Sequence, residues 1–173
     1  MIQRGFSEAY RRELDNIFFL TAQQKSFSDE AERQAYYQRW AGQYIGRYPE
    51  WVYTAREEEG ILGYLLGCPD SREAVREIDF PGLEQFSQLF DAYPAHLHIN
   101  VLPQAQGRSI GRKLIAAYCR DLRAEDIPGV HLITTTKAGN AGFYQAVGFE
   151  TVMEVPENDM RLLFMGRSLA GEQ

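Results

Sequence analysis

The run His96-Leu-His-Ile-Asn-Val-Leu-Pro103 continues as Gln-Ala-Gln-Gly-Arg-Ser-Ile-Gly111 and then Arg-Lys-Leu-Ile-Ala-Ala-Tyr118. No other segment restricts the fold of this chain as much. It reads as a β-strand, a proline stop, a glycine-containing loop and an amphipathic helix. N–H groups at the start of a helix have no intrahelical acceptor, so they can converge on an anion above the loop. The arrangement therefore points to a phosphorylated ligand held by an α/β fold.

The flanking segments extend this unit into a mixed sheet. Ile2–Phe6 reads as a short first strand, and Ser7 as the cap of a helix over Glu8–Leu20, where Leu14, Ile17 and Phe18 recur at helical spacing. Ser28 or Asp29 starts a second helix, with Asp29 and Glu32 in capping-box relation and an aromatic face of Tyr36, Tyr37, Trp40 and Tyr44. Trp51–Arg56 and Ile61–Gly67 flank the acidic turn Glu57-Glu-Glu-Gly60 and predict a hairpin. Short helices are expected around Ser71–Glu77 and Pro81–Phe90, and the main helix should run to about Ala124. Val130–Thr135 predicts a buried strand, Asn140–Val147 a short helix stopped by Gly148, and Phe149–Met153 and Met160–Met165 two closing strands. The expected fold is α/β: a central mixed, mostly antiparallel sheet with helices on both faces. No repeat, low-complexity tract or linker interrupts the chain, so one domain over 1–173 is expected.

Composition narrows the ligand. A net charge of −6 argues against general nucleic-acid binding, which needs a basic footprint. Against that acidic background Arg108, Arg112 and Lys113 cluster at the loop; the alternative is an ordinary solvated helix face. Cys68 and Cys119 lie far apart without metal-like spacing, so with only three histidines no metal is expected, and a reduced buried pair is the simpler reading. Apolar runs such as Ile17–Leu20 are too short to span a bilayer, and Met1-Ile-Gln-Arg-Gly5 lacks the features of a signal peptide. A cytoplasmic protein without membrane or nucleic-acid partners, monomeric or homodimeric, is expected.

Three phosphate loops can be tested by residue type. A P-loop requires G-x-x-x-x-G-K-[ST], whereas only three residues separate Gly107 from Gly111 and Arg112-Lys113-Leu114 follows. A dinucleotide fingerprint requires G-x-G-x-x-G near the first strand, and neither spacing nor position fits. Gln106-Gly-Arg-Ser-Ile-Gly111 resembles the third, the acetyl-CoA loop [QR]-x-x-G-x-[GA] of the GNAT acetyltransferase superfamily, with Ser109 at its middle glycine. That substitution is mild if position 109 is helical and damaging if its φ is positive. Val101-x-Pro103 before the loop and Phe143-Tyr144 with Gly148-Phe149 after the next strand match the same superfamily in order. The likeness covers about the whole length. A narrower one, in Ile61–Gly67 and Tyr93–Pro103, is to bacterial proteins similar to the acetyltransferase-like C-terminal domain of O-GlcNAcase, a domain treated as a pseudo-acetyltransferase.

The resemblance implies direct transfer of an acetyl group from acetyl-CoA to a primary amine of a small molecule or protein, through a tetrahedral intermediate. It implies that Gln106, Gly107, Arg108, Ser109, Ile110, Gly111 and Arg112 hold the pyrophosphate and that the pantetheine arm pairs along Ile99 to Val101. Val101 N–H would then polarise the thioester carbonyl. Tyr144 matches the position that serves the departing thiolate as general acid; a tyrosine with a satisfied hydroxyl is the alternative. Phe143 reads as packing. Asn140 is a pantetheine-binding candidate, although the family's asparagine lies seven residues before the tyrosine, where this chain has Lys137. His98 is the candidate base, because imidazole titrates near neutrality. Arylalkylamine acetyltransferases carry His-x-His on this strand one residue out of register, which would turn His96, His98 and Asn100 away unless a bulge intervenes. Structural histidines are thus the alternative. Trp40, Tyr44 and the section 68–94, with Asp79, Phe80 and Asp91, are candidates for the amine pocket. A catalytically silent acetyl-CoA-binding or interaction module is the alternative function.

Overall fold

The strands are β1 (Ile2–Arg4), β2 (Val52–Glu57), β3 (Gly60–Cys68), β4 (Ala95–Val101), β5 (Gly129–Thr135), β6 (Glu150–Glu157) and β7 (Met160–Ser168). The helices are α1 (Arg11–Thr21), α2 (Glu30–Tyr37), α3 (Gln43–Arg47), α4 (Ser71–Ala74), α5 (Ile110–Ala124) and α6 (Ala141–Ala146). The structure is a computed structural model that describes residues 1–171. Its mixed seven-stranded sheet runs in the order β1-β2-β3-β4-β5-β7-β6, the α/β class expected. The chain divides into two compact units, Met1–Cys68 with His98–Tyr118, and Pro69–Leu97 with the chain from Cys119 on. Strand β4 thus changes unit between Leu97 and His98.

In the first unit β1, β2 and β3 pair antiparallel, with Gln3 opposite Thr54 and Thr54 opposite Tyr64. Leu14, Ile17 and Phe18 form the buried stripe of α1. Glu13 fastens that helix to the hairpin by accepting the Ile61 N–H at 2.8 Å. Ser7 caps a short 3-10 turn, Glu8–Tyr10, ahead of α1, with its hydroxyl accepting the Ala9 N–H at 3.3 Å. Asp29 caps α2 by accepting the Glu32 N–H at 2.8 Å, but Glu32 reaches back to the Ser28 N–H at 2.6 Å, one residue earlier than a capping box requires. Between α2 and α3 the chain makes a π-helical turn, Gln38–Gly42, which carries Trp40. Gly67 admits the Tyr118 ring: a Cβ there would lie 2.6 Å from it, and the Tyr118 hydroxyl donates to Cys68 O at 2.9 Å.

In the second unit β4 and β5 pair in parallel, Ala95 with Val130 and His96 with His131. β5 pairs with β7 from Gly129–Ser168 to Thr135–Leu162, and β6 closes on β7 as a hairpin with a bulge between Thr151 and Met153. The expected helices of the intervening section are shorter, α4 and a 3-10 segment Leu83–Leu89. Pro81-Gly82 separates them, with Gly82 left-handed at φ +85°. Among the described residues no helix is long and apolar enough to cross a membrane.

Candidate acetyl-CoA and amine site

The loop after β4 starts with the Leu102 N–H donating to Leu62 O at 2.8 Å. N–H groups alternate along a strand, so those of Ile99 and Val101 turn to the opposite edge. Pro103–Ala105 makes one 3-10 turn. Gly107 and Ser109 are both left-handed, at φ +77° and +62°. The first ladder bond of α5 runs from Lys113 N–H to Ser109 O at 3.0 Å, so Ile110 and Gly111 N–H belong to the turn that lacks intrahelical acceptors. A Cβ built on Gly107 would find nothing within 4 Å, which leaves open room over the loop.

Ser109 therefore falls on the unfavourable side of the sequence expectation. A Cβ in the left-handed region costs about 1–2 kcal/mol, a strain that glycine would avoid. Arg108, expected to reach a phosphate, donates to the Glu57 carboxylate at 2.6 Å, with both side chains about half exposed. Such surface pairs contribute about 1 kcal/mol or less, so a phosphate can compete for the guanidinium.

The two halves of β4 differ in burial. Ala95, His96 and Leu97 are buried, while His98 to Val101 are partly exposed. His96 is 1% exposed and its Nδ1 shares a hydrogen with Ser71 Oγ at 2.7 Å. His98 Nε2 meets the Tyr44 hydroxyl at 2.9 Å, and its ring packs edge-on to Tyr44 and Trp40 at centroid distances of 4.7 and 5.9 Å. Desolvation pushes the His98 pKa down to about 4 and holds the imidazole neutral at pH 7. His98 thus faces two of the aromatic residues expected to line the amine pocket. Asn100, two residues on, donates from Nδ2 to the Tyr64 hydroxyl at 2.8 Å.

On α6, Tyr144 is 8% exposed and packs against Phe143 and Phe149. Burial pushes its pKa up to about 12, and among the described residues its hydroxyl has no hydrogen-bond partner. Phe143 is 41% exposed and meets the Tyr144 ring edge-on at 5.2 Å, so it packs on one side and leaves the other open. Asn140 is the residue before α6, and its Oδ1 accepts from Thr134 Oγ1 at 2.6 Å. Lys137, at the family's asparagine position, pairs with Asp159 of the β6–β7 turn. Gly148 ends the segment with φ +91°. Sequence reasoning missed the Glu57–Arg108 pair, the Asn100–Tyr64 bond and the π turn under Trp40. Only an asparagine inside a strand gave a local signal.

A family model for the acetyltransferase (GNAT) domain matches residues 49–151, which contain both the loop and the α6 motif. The chain belongs to the GNAT acetyltransferase family. This GNAT chain is similar to the crystal structure of SsHAT, at 25% identity over 98% of each chain with a TM-score of 0.76. Its fold is shared with ribosomal-protein-alanine N-acetyltransferase from Brucella melitensis, at 20% identity, 97% and 99% coverage of this and that chain, and TM-score 0.63. The structure of yncA from Salmonella typhimurium with its cofactor acetyl-CoA matches at 20% identity, 99% and 95% coverage, and TM-score 0.61.

Proposed function

We propose that this GNAT protein transfers an acetyl group from acetyl-CoA to a primary amine of a small molecule or protein, with 1–173 working as one domain in the cytoplasm. The observation that carries the reading is Tyr144. Its ring is buried, yet among the described residues its hydroxyl has no protein partner and is not sealed from solvent, so the O–H is available to a ligand atom at the family's thiolate position. Its raised pKa keeps it protonated at neutral pH, able to donate to a departing sulfur.

The residues present fit acetyl-CoA. The room above Gly107, the first turn of α5 and the cations Arg108, Arg112 and Lys113 suit a pyrophosphate. The edge N–H of Ile99 suits an amide of the pantetheine arm, and Asn140 is a further ligand for it. Acetyl-CoA supplies the acyl thioester. Val101 N–H holds its carbonyl oxygen, a donor worth roughly 3 kcal/mol as charge develops there. His98 is the candidate acceptor for the amine's proton; burial makes it a weaker base than a free imidazole, so it would take that proton only from the acidic nitrogen of the tetrahedral adduct.

A second reading, a silent acetyl-CoA-binding module close to the O-GlcNAcase-like domains, draws support from Ser109, whose strained φ lies where the family has glycine, and from Lys137 paired with Asp159. Calorimetry with acetyl-CoA tests both readings, since absence of binding at high micromolar concentration contradicts each. Free-CoA release over an amine panel then separates them: amine-dependent release is expected of the enzyme and none of the module.

A further inference from the structure

The β2–β3 hairpin holds the phosphate loop at two points, both inside the first unit. Ala55 lies opposite Gly63 and Arg56 opposite Ile61, so Leu62 is the extra residue of a bulge. Its carbonyl takes the Leu102 N–H at the start of the loop, at 2.8 Å. Further along, between the left-handed Gly107 and Ser109, Arg108 donates from Nη2 to Oε1 of Glu57 at 2.6 Å. Glu57 ends β2 opposite Gly60, and the following residue, Ile61, donates its N–H to Glu13 of α1. The carboxylate therefore stands on a turn anchored to a helix, and its cation stands on the loop.

Arg108 is the one cationic side chain between Leu102 and Gly111. A carboxylate of the chain already occupies it, at the head of three successive exposed glutamates, Glu57 to Glu59. The bond is weak in kind. It is a single N–H···O contact rather than the two parallel bonds of an Arg–carboxylate fork, and both side chains are 49% exposed. A diphosphate offers the guanidinium fork paired oxygens and brings more charge than a carboxylate. It wins Arg108, but the bond it breaks is subtracted from the affinity it gains.

We propose that Glu57 is an internal competitor for the cofactor's phosphate: it occupies Arg108 in the free protein, and acetyl-CoA binds only as tightly as displacement of this carboxylate permits. The inference rests on the acetyl-CoA reading for the identity of its ligand. Two consequences separate this role from the opposite one, in which Glu57 orients Arg108 toward the ligand. Neutralising a competitor tightens binding, whereas neutralising an orienting group weakens it. A competitor also acts through Arg108 alone, so its effect vanishes with that side chain, while a general repulsion by the acidic turn does not.

The test is calorimetry of acetyl-CoA on the full chain at about 0.1 M salt, where charges within about 10 Å still act on one another. It compares the parent with Glu57→Gln, Arg108→Ala, the two combined, and Glu58→Gln. Glu57→Gln is expected to lower the acetyl-CoA Kd about three- to fivefold, the scale of a freed surface ion pair. In the Arg108→Ala background the same change should move Kd by less than about 1.5-fold, and Glu58→Gln should stay equally close to the parent. An unchanged or raised Kd in Glu57→Gln overturns the proposal. So does a gain that persists without Arg108, or one that Glu58→Gln reproduces. Binding of acetyl-CoA with no effect of Glu57 contradicts the competitor alone, whereas no binding by parent and Glu57→Gln contradicts the acetyl-CoA reading and the competitor with it.

Discussion

Two histidines on one face of β4, two residues apart, have opposite surroundings. His96 is sealed in, its ring nitrogen tied to the buried Ser71 and its plane set against Phe80 and His131. His98 lies where the strand becomes partly exposed and meets a tyrosine hydroxyl and a tryptophan on a helical turn of irregular pitch. The same residue type on the same strand thus sits in a sealed core at one position and against a partly exposed aromatic face at the other. What changes along the strand is its cover, from the buried α4 contact to the aromatic face of Trp40 and Tyr44.

The largest expected effect breaks the comparison at its reactive end. His98→Gln should lower amine-dependent turnover about 100-fold, with the acetyl-CoA Kd and the urea midpoint near those of the parent. Loss of folding without loss of turnover in the folded fraction would place His98 with His96.

Next is pH. The folded His98 titrates at about 4 against 6.5 for the unstructured side chain, so the unfolded chain takes up the proton first as pH falls. Its stabilising contribution is complete above pH 6.5 and is lost as pH falls toward 4; between pH 7 and 5 the loss is at most about 2 kcal/mol. Urea unfolding at both values should show this dependence in the parent and a flatter profile in His98→Phe.

At the sealed end, Ser71→Ala leaves a buried imidazole nitrogen short of its partner and should cost about 1–2 kcal/mol in urea unfolding, with turnover of the folded protein unchanged. The smallest effect belongs to the loop that follows the strand. Ser109→Gly should relieve the left-handed strain and raise stability by about 1 kcal/mol, read as a higher Tm, with acetyl-CoA affinity equal to or above the parent's.

Much of this was legible in the sequence because its signals are local. Pro103, Gly107 and the apolar period Ile110, Leu114, Ile115 and Tyr118 announce a strand, a turn and a helix within a few residues of one another. Gly148 announces a helix stop in the same way. The π turn had no such mark, since one extra residue in a helical ladder changes no residue type. Glu57–Arg108 and Asn100–Tyr64 join positions 51 and 36 residues apart, and only the folded chain brings them together. At Ser109 the residue type pointed away from the left-handed backbone that the loop adopts, because strain at one position is set by the closure of the whole segment.

The central claim is that this chain uses Tyr144 to release CoA. Turnover of acetyl-CoA with a responsive primary amine, compared between parent and Tyr144→Phe alongside the acetyl-CoA Kd, tests it most directly. The account predicts amine-dependent CoA release that falls at least about tenfold in the variant, with Kd within about twofold. Equal turnover in both proteins would contradict it.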